Sequence, residues 1–321
     1  MKLSVLNAGL YQLDLEQACA FLERMGVQAM EVGCGGFPGK KHCNPEILLH
    51  DDAKLKAFQD TFARHHIEIA ALSAHGNPVH PDPEKAKLYH DDFVNAILLA
   101  EKLGVKRIVG FSGCPGGCKA DQTPNWIVSP WPTDFSIALE YQWNEVLIPY
   151  WKKTVAFANE HGVNQIALEM HPGFCVYNPE TLLKLRAAVG DTIGANFDPS
   201  HLFWQGMDPV MAIRELGGAI HFFHAKDTKL DAANIARNGV LDLKNYSILN
   251  RRSWVFRTVG YGHGMAEWNN IISELRMNGY DGYISIEHED GLMSGNEGMT
   301  KAIRFLQQAL ITENPGDMFW A

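Results

Sequence analysis

The sequence lacks the features that would place it in a membrane or on a nucleic acid. No apolar run approaches the roughly 20 residues of a membrane-spanning helix, and the apolar stretch within Met1–Asn7 is too short for a signal-peptide core. Basic residues are scarce, because 28 lysines and arginines stand against 37 aspartates and glutamates, a net charge of -9. Nucleic-acid-binding proteins usually present basic surfaces to phosphates. We therefore expect no nucleic-acid partner, no membrane association and a cytoplasmic location.

Cysteine is too sparse for a disulfide framework. The 321 residues contain six cysteines, whereas domains that depend on disulfides are usually short, secreted and cysteine-rich. We interpret these six as reduced thiols. Hydrophobic residues, in contrast, make up 46% of the chain, which is enough for one large core. The length fits a single TIM-barrel domain over residues 1–321.

Short apolar or β-branched runs alternate with longer amphipathic segments along the chain. This order is typical of parallel strands that are each followed by a helix. The predicted strands are Leu3–Asn7, Ala29–Val32, Ile67–Ser73, Arg107–Phe111, Gln165–Glu169, Ile193–Phe197, Ile220–His224 and Tyr283–Glu287. The predicted helices between them include Pro83–Leu103, Tyr141–His161 and Pro179–Val189. The sequence therefore predicts an α/β protein with the (β/α)8 TIM-barrel fold.

Two connections are longer than the usual loop, at about residues 112–135 and 227–256. Loops of that length in compact folds are usually lids or interface segments. Both follow predicted strands, so we expect them on the face where TIM barrels keep their active sites. Such insertions also favour a homodimer or homotetramer.

Carboxylate and imidazole side chains occur where the last four predicted strands end: Glu169, Asp198, His224 and Glu287. A carboxylate at the end of an apolar strand costs free energy unless a cation or several donors meet it. Any one of these residues could be an ordinary ion pair at the barrel rim. Four on neighbouring strands favour a shared divalent ion, and this oxygen-rich set suits Mn²⁺, Mg²⁺ or Co²⁺ better than a tetrahedral zinc site.

Several segments resemble the sugar phosphate isomerase/epimerase family of xylose-isomerase-like TIM barrels, which includes ketose 3-epimerases and inosose dehydratases. They are Glu169-Met170-His171-Pro172-Gly173, Asn196-Phe197-Asp198-Pro199-Ser200-His201, Phe223-His224-Ala225-Lys226-Asp227 and Ile286-Glu287. Ala71–Pro78 and Val259–Gly264 are similar as well, so the resemblance covers nearly the whole chain.

The resemblance implies a metal-dependent enzyme. In ketose 3-epimerases the residues that match Glu169, Asp198, His224 and Glu287 bind one divalent ion, for which we expect Mn²⁺, with Co²⁺, Mg²⁺ and Zn²⁺ as alternatives. Glu169 and Glu287 would form the catalytic acid/base pair, one removing a proton beside a carbonyl group and the other returning one, through a metal-stabilised enediolate.

The expected substrate is a small sugar or polyol. Residues near the strand ends or in the insertions are candidates to bind it: His75, His171, His201, Lys226, Asp227, His263 and Trp126. His201 matches a position that contacts a substrate oxygen in relatives, and Trp126 could offer an aromatic face to a sugar.

Other functions start from the same barrel. A lyase or dehydratase on a keto-sugar, keto-inositol or 3-keto-glycoside would form the same enolate and then expel a substituent, and the sequence does not separate it from an epimerase. A non-catalytic sugar-binding barrel would not need both Glu169 and Glu287. A DNA-repair endonuclease of this superfamily would need more zinc ligands, but Ser112 and Trp254-Val255-Phe256 stand where these would lie.

Overall fold

Eight parallel strands close into a barrel in the computed structural model, which describes residues 1–320. The strands of the chain are β1 (Lys2–Leu6), β2 (Ala29–Gly36), β3 (Glu68–His75), β4 (Arg107–Phe111), β5 (Gln165–Glu169), β6 (Ile193–Phe197), β7 (Ile220–Ala225), β8 (Asp227–Leu230), β9 (Trp254–Arg257) and β10 (Tyr283–Ile286). The barrel runs in the order β1-β10-β7-β6-β5-β4-β3-β2. The predicted (β/α)8 TIM barrel is confirmed, and the predicted bounds of β4, β5 and β6 match those observed.

Helices cover the outside of the barrel. They are α1 (Leu15–Arg24), α2 (Pro45–Leu48), α3 (Asp52–Arg64), α4 (Pro83–Leu103), α5 (Thr133–Glu140), α6 (Ile148–Glu160), α7 (Pro179–Val189), α8 (Pro199–Gln205), α9 (Pro209–Leu216), α10 (Ala232–Asn238), α11 (Met265–Met277) and α12 (Gly295–Ala309). The predicted helix at 141–161 differs from the structure, where a π-helical segment, Tyr141–Leu147, joins α5 to α6. Pro149 follows this segment at the start of α6 and has no N–H to donate.

Alternation along the strands places the polar groups in the barrel mouth. Small or apolar side chains of several strands meet in one cluster, among them Ala29, Ala71, Ala167 and Phe222. Residues two positions further along a strand face the same side. Ala29 is thus followed by Glu31, Ala71 by Ser73, Ala167 by Glu169 and Phe222 by His224. The apolar layer therefore lies below a polar layer at the carboxyl ends of the strands.

The two long connections differ in structure. Residues 112–132 contain no regular secondary structure, whereas residues 227–256 contain α10 and most of an antiparallel pair formed by β8 and β9. All six cysteines lie within the described residues and none forms a disulfide. No helix between residues 1 and 320 combines the length and apolar character needed to cross a bilayer.

We predict that Gly36→Ala destabilises the protein much more than Gly39→Ala. Both glycines have positive φ, +62° and +74°. A Cβ at Gly36 would overlap the carbonyl group of His75, whereas one at Gly39 would meet nothing within 4 Å. Left-handed strain alone should cost Gly39→Ala about 1 kcal/mol, and the added backbone clash should cost Gly36→Ala about 3 kcal/mol or more. Urea denaturation measures both, and equal losses would contradict this account.

Candidate metal centre and active site

Four side chains from neighbouring strand ends converge in the barrel mouth. Glu169 ends β5, Asp198 follows β6, His224 lies in β7 and Glu287 follows β10. Each offers a ligand atom within 4.8 Å of the others. Nδ1 of His224 lies 3.2 Å from Oε2 of Glu169 and 3.2 Å from Oε2 of Glu287. The structure thus brings together the four residues that the sequence suggests as metal ligands.

Asp198 indicates that this group of carboxylates suits a cation. Its Oδ1 accepts the backbone N–H of Ser200 at 2.8 Å, but its buried Oδ2 accepts no hydrogen bond. Nζ of Lys226 lies 3.2 Å from Oδ2 without hydrogen-bond geometry. Burial raises the pKa of Asp198 to about 6, Glu169 and Glu287 act in the same direction, and Lys226 opposes them. Such a set of oxygen donors fits a divalent ion.

His224 is held from behind by Glu31 of β2, a residue that sequence reasoning missed. Nε2 of His224 donates to Oε2 of Glu31 at 2.9 Å. Glu31 is fully buried and also accepts hydrogen bonds from Ser73 and, at 2.7 Å, from Ser285. Burial alone would lower the pKa of His224, but Glu31 and Glu287 hold it well above its usual range. A carboxylate behind a histidine fixes the ring, and the other nitrogen can bind a metal once the metal displaces its proton.

Glu169 is the most tightly held carboxylate of the group. Nε2 of His201 lies 3.0 Å from its Oε1, while Nε2 of His75 and Nδ2 of Asn196 each lie 3.2 Å from its Oε2. Burial would raise its pKa, but hydrogen bonds from His201, His224 and His75 keep the pKa of Glu169 well below its usual range. Glu169 is therefore ionised and fixed in position.

Lys226 brings a buried positive charge to the same place. Its Nζ lies 2.7 Å from Oε2 of Glu287, 3.2 Å from Oε2 of Glu289 and 4.8 Å from the ring centre of Phe256. Burial would lower the pKa of Lys226, yet the carboxylates of Glu287 and Glu289 hold it well above its usual range. In turn, burial would raise the pKa of Glu287, but Lys226 keeps it below its usual range.

Glu169, Lys226 and Glu287 face a cavity of about 430 Å³. His75, His171 and Lys226, three of the substrate-binding candidates, line it together with Glu169 and Glu287. Nδ1 of His171 lies 2.6 Å from the carbonyl oxygen of Pro172, and burial lowers the pKa of His171 to about 4, so its ring is neutral near pH 7. His201 does not line the cavity, and its Nε2 is directed to Glu169.

Asp227 and His263 lie outside this cavity, contrary to the expectation that they would bind substrate. Adjacent residues of an extended segment point to opposite sides, so Asp227 faces away from the side on which Lys226 lies. Oδ2 of Asp227 accepts the backbone N–H groups of Gly260, Gly262 and His263 at 2.9–3.1 Å, and its Oδ1 lies 2.8 Å from Nδ1 of His263. Asp227 therefore anchors the glycine-rich loop after β9.

Trp126 also lies away from the cavity. It lines a separate space of about 220 Å³ beside Tyr177 and Lys184. Its ring meets that of Tyr177 edge-on, at 5.5 Å between centroids. Trp126 thus packs the connection at 112–132 against the segment around α7.

Comparison with known proteins assigns the family. A family model described as xylose isomerase-like TIM barrel matches residues 19–309. The chain belongs to this family. The chain is also 39% identical over 312 residues to the uncharacterized protein YfiH of Bacillus subtilis (strain 168), and the match covers 97% of this chain and 99% of YfiH.

Solved structures share the xylose isomerase-like fold at low sequence identity. The structure of the IolI protein with a binding zinc atom has a TM-score of 0.66 and 19% identity, and the match covers 97% of this chain and 98% of IolI. A D-tagatose 3-epimerase-like protein has a TM-score of 0.63 and 20% identity, with 96% and 98% covered. The family model confirms the suspected family, and these structural similarities confirm its fold.

We predict that Glu31→Gln weakens Mn²⁺ binding by about 10- to 100-fold, because an amide holds the Nε2 proton of His224 less strongly than a carboxylate does. Isothermal titration of purified protein with Mn²⁺ measures the change. The matched control is Glu68→Gln in β3, since Glu68 is exposed and binds Lys2 and Tyr283 instead. Equal Mn²⁺ affinity in folded Glu31→Gln and wild-type protein would refute the positioning role.

Proposed function

We propose that the protein is a divalent-metal-dependent sugar isomerase or epimerase that moves a proton on a carbon beside a carbonyl group. The observation that carries this proposal is the placement of Glu169 and Glu287. Both carboxylates face one cavity, and each lies 3.2 Å from the same nitrogen of His224. A site that only binds a sugar has no need for two ionised carboxylates at this place.

The residues that would hold the metal are Glu169, Asp198, His224 and Glu287. We expect Mn²⁺, and Co²⁺, Mg²⁺ or Zn²⁺ would also suit this set. The solved structure of IolI, which shares the fold, contains a bound zinc atom. When bound, the ion supplies positive charge beside the substrate oxygens, so that the neighbouring C–H bond becomes more acidic.

Glu169 and Glu287 would move the proton. Both have lowered pKa values, so both are carboxylates at neutral pH and either can accept a proton. His201 fixes Glu169 from one side, and Lys226 fixes Glu287 at 2.7 Å. One carboxylate would remove the proton from the substrate carbon and become a carboxylic acid. The other would take up a proton from solvent and deliver it to the opposite face of that carbon, and the first would then release its proton to solvent, which restores both carboxylates.

His75, His171 and Lys226 would bind the substrate, because all three line the cavity. The imidazole nitrogens that remain can accept hydrogen bonds from hydroxyl groups, and the ammonium group can donate to hydroxyl or carbonyl oxygens. Positioning by such contacts keeps the reacting carbon close to the carboxylates.

The proposal is tested by proton NMR of keto-sugars incubated with Mn²⁺-loaded protein in D2O. The expected result is deuterium uptake at the carbon beside the carbonyl group, together with an epimer or isomer of the substrate. Release of a substituent along with uptake would assign a lyase or dehydratase instead. No uptake with any ketose, inosose or 3-keto-glycoside would reject the proposal.

We predict that Glu169→Gln and Glu287→Gln each lower the deuterium-exchange rate by about two to four orders of magnitude, because each removes one proton-transferring group. The control is Glu101→Gln on α4, where the half-exposed Glu101 side chain contacts His161. Circular dichroism checks folding. An exchange rate near that of the wild type in either active-site variant would disprove the acid/base assignment.

We predict that removal of metal by a chelator abolishes exchange, and that Mn²⁺ or Co²⁺ restores it. Added Mn²⁺ should also raise Tm, because an ion that binds only the folded state stabilises it. Asp198→Asn removes one ligand charge and should reduce that rise in Tm. Full activity in protein shown by elemental analysis to be metal-free would contradict the mechanism.

A further inference from the structure

A second cavity of about 410 Å³ adjoins the one that contains the carboxylates. Tyr246, Leu249 and Phe256 of the 227–256 segment form much of its wall. His171 and Glu289 line both cavities. The two spaces therefore form one bipartite site, with an inner lobe at Glu169 and Glu287 and an outer lobe at Tyr246 and Phe256.

Aromatic rings connect the two lobes. His201, whose Nε2 lies 3.0 Å from Oε1 of Glu169, meets the ring of Phe256 edge-on at 5.4 Å. Phe256 is in turn stacked with Tyr246, at 5.9 Å between centroids and 13° between planes. Aromatic rings therefore pack in sequence from the buried His201, beside Glu169, through Phe256 to Tyr246, which is 57% exposed. The outer lobe therefore opens to solvent at Tyr246, as the inner lobe does at Phe37.

The outer lobe is built for a neutral ring. The described residues that line it include no lysine or arginine, and its charged side chain is the carboxylate of Glu289. Lys226, the nearest cation in the inner lobe, is already shared by Asp198, Glu287 and Glu289. A phosphate group placed here would meet the carboxylate of Glu289 and no lysine or arginine. Aromatic and aliphatic faces instead suit the C–H surface of a sugar or an aromatic ring.

The outer wall is also well ordered by its own contacts. The guanidinium of the buried Arg252 lies 4.3 Å from the ring centre of Tyr246 and 4.8 Å from that of Trp254. Trp254 stacks on Trp204 of α8 at 4.6 Å, with 8° between planes. Because these contacts tie the wall to the barrel, the lobe exists before a ligand enters, and little ordering entropy is lost on binding.

The size of the site sets its substrate class. Ligand cavities of about 300–1,000 Å³ enclose molecules up to drug size, so the inner lobe alone can hold a small sugar. We propose that the substrate is a keto-sugar glycoside, with its keto-sugar ring in the inner lobe and a neutral second ring, sugar or aromatic, against Tyr246 and Phe256. The placement of the keto-sugar ring in the inner lobe rests on the proposed function, because Glu169 and Glu287, the groups proposed to react with that ring, lie there.

The test uses two probes, methyl 3-keto-β-D-glucoside and phenyl 3-keto-β-D-glucoside. They share the keto-sugar ring, and only the phenyl glycoside has a second ring. With Mn²⁺-loaded wild-type protein, titration calorimetry gives Kd and NMR in D2O gives kcat/KM for exchange. We expect the phenyl glycoside to bind and to exchange about tenfold better, the effect of one added aromatic contact. In Tyr246→Ala the phenyl-to-methyl ratio should fall towards one. In the control Tyr261→Ala the ratio should not change, because Tyr261 lies against Arg257 and Lys301, outside both lobes.

The outcomes separate the two proposals. Exchange of both probes with no phenyl preference, or with a preference that Tyr246→Ala leaves unchanged, overturns the outer-lobe assignment and retains the proposed function. A phenyl preference in Kd that Tyr246→Ala removes, without exchange of either probe, supports the outer lobe as a ring-binding site and rejects the proposed reaction. A keto-glucose 6-phosphate that binds more tightly than the phenyl glycoside overturns the assignment of a neutral ring.

Discussion

Buried negative charge is the constraint on which the rest of this structure depends. Glu31, Glu169, Asp198 and Glu287 meet around a single imidazole, His224, and all but Glu287 are almost completely buried. Taking a carboxylate out of water costs several kcal/mol unless charges or hydrogen bonds compensate. Histidine and serine donors and one ammonium group provide much of this compensation. Oδ2 of Asp198 has Lys226 and His201 nearby, at 3.2 and 3.3 Å, but accepts no hydrogen bond from either. A divalent ion would complete the balance.

The barrel meets this constraint with rigid geometry. Each barrel strand is hydrogen-bonded on both sides, so side chains at the strand ends cannot move apart to relieve repulsion. The apolar layer formed by residues such as Ala167 and Phe222 holds the polar layer from below. The buried carboxylates lower the stability of the folded protein, but they form a site whose geometry is fixed in advance. Functional sites commonly bury polar groups in this way.

Strand periodicity and the residues at strand ends were sufficient to predict the barrel and its four converging side chains. The role of Glu31 was not predicted, because this residue lies inside the apolar run Ala29–Val32 and its partner, His224, comes from a distant part of the chain. Asp227 was misplaced by closeness in sequence, since a neighbour of Lys226 faces the other way in extended backbone. The position of Trp126 depends on a connection without regular structure, whose path no local pattern specifies.

The carboxylate end of the site and its outer wall come from different parts of the fold. Barrel strands supply Glu169 and His224, whereas a segment inserted after β7 supplies Tyr246 and Phe256. Evolution can therefore remodel the second part with little effect on the first. Proteins that share this scaffold can keep one type of chemistry while exchanging the molecules that they accept, so a common ancestor alone is a poor guide to the natural metabolite of any one member.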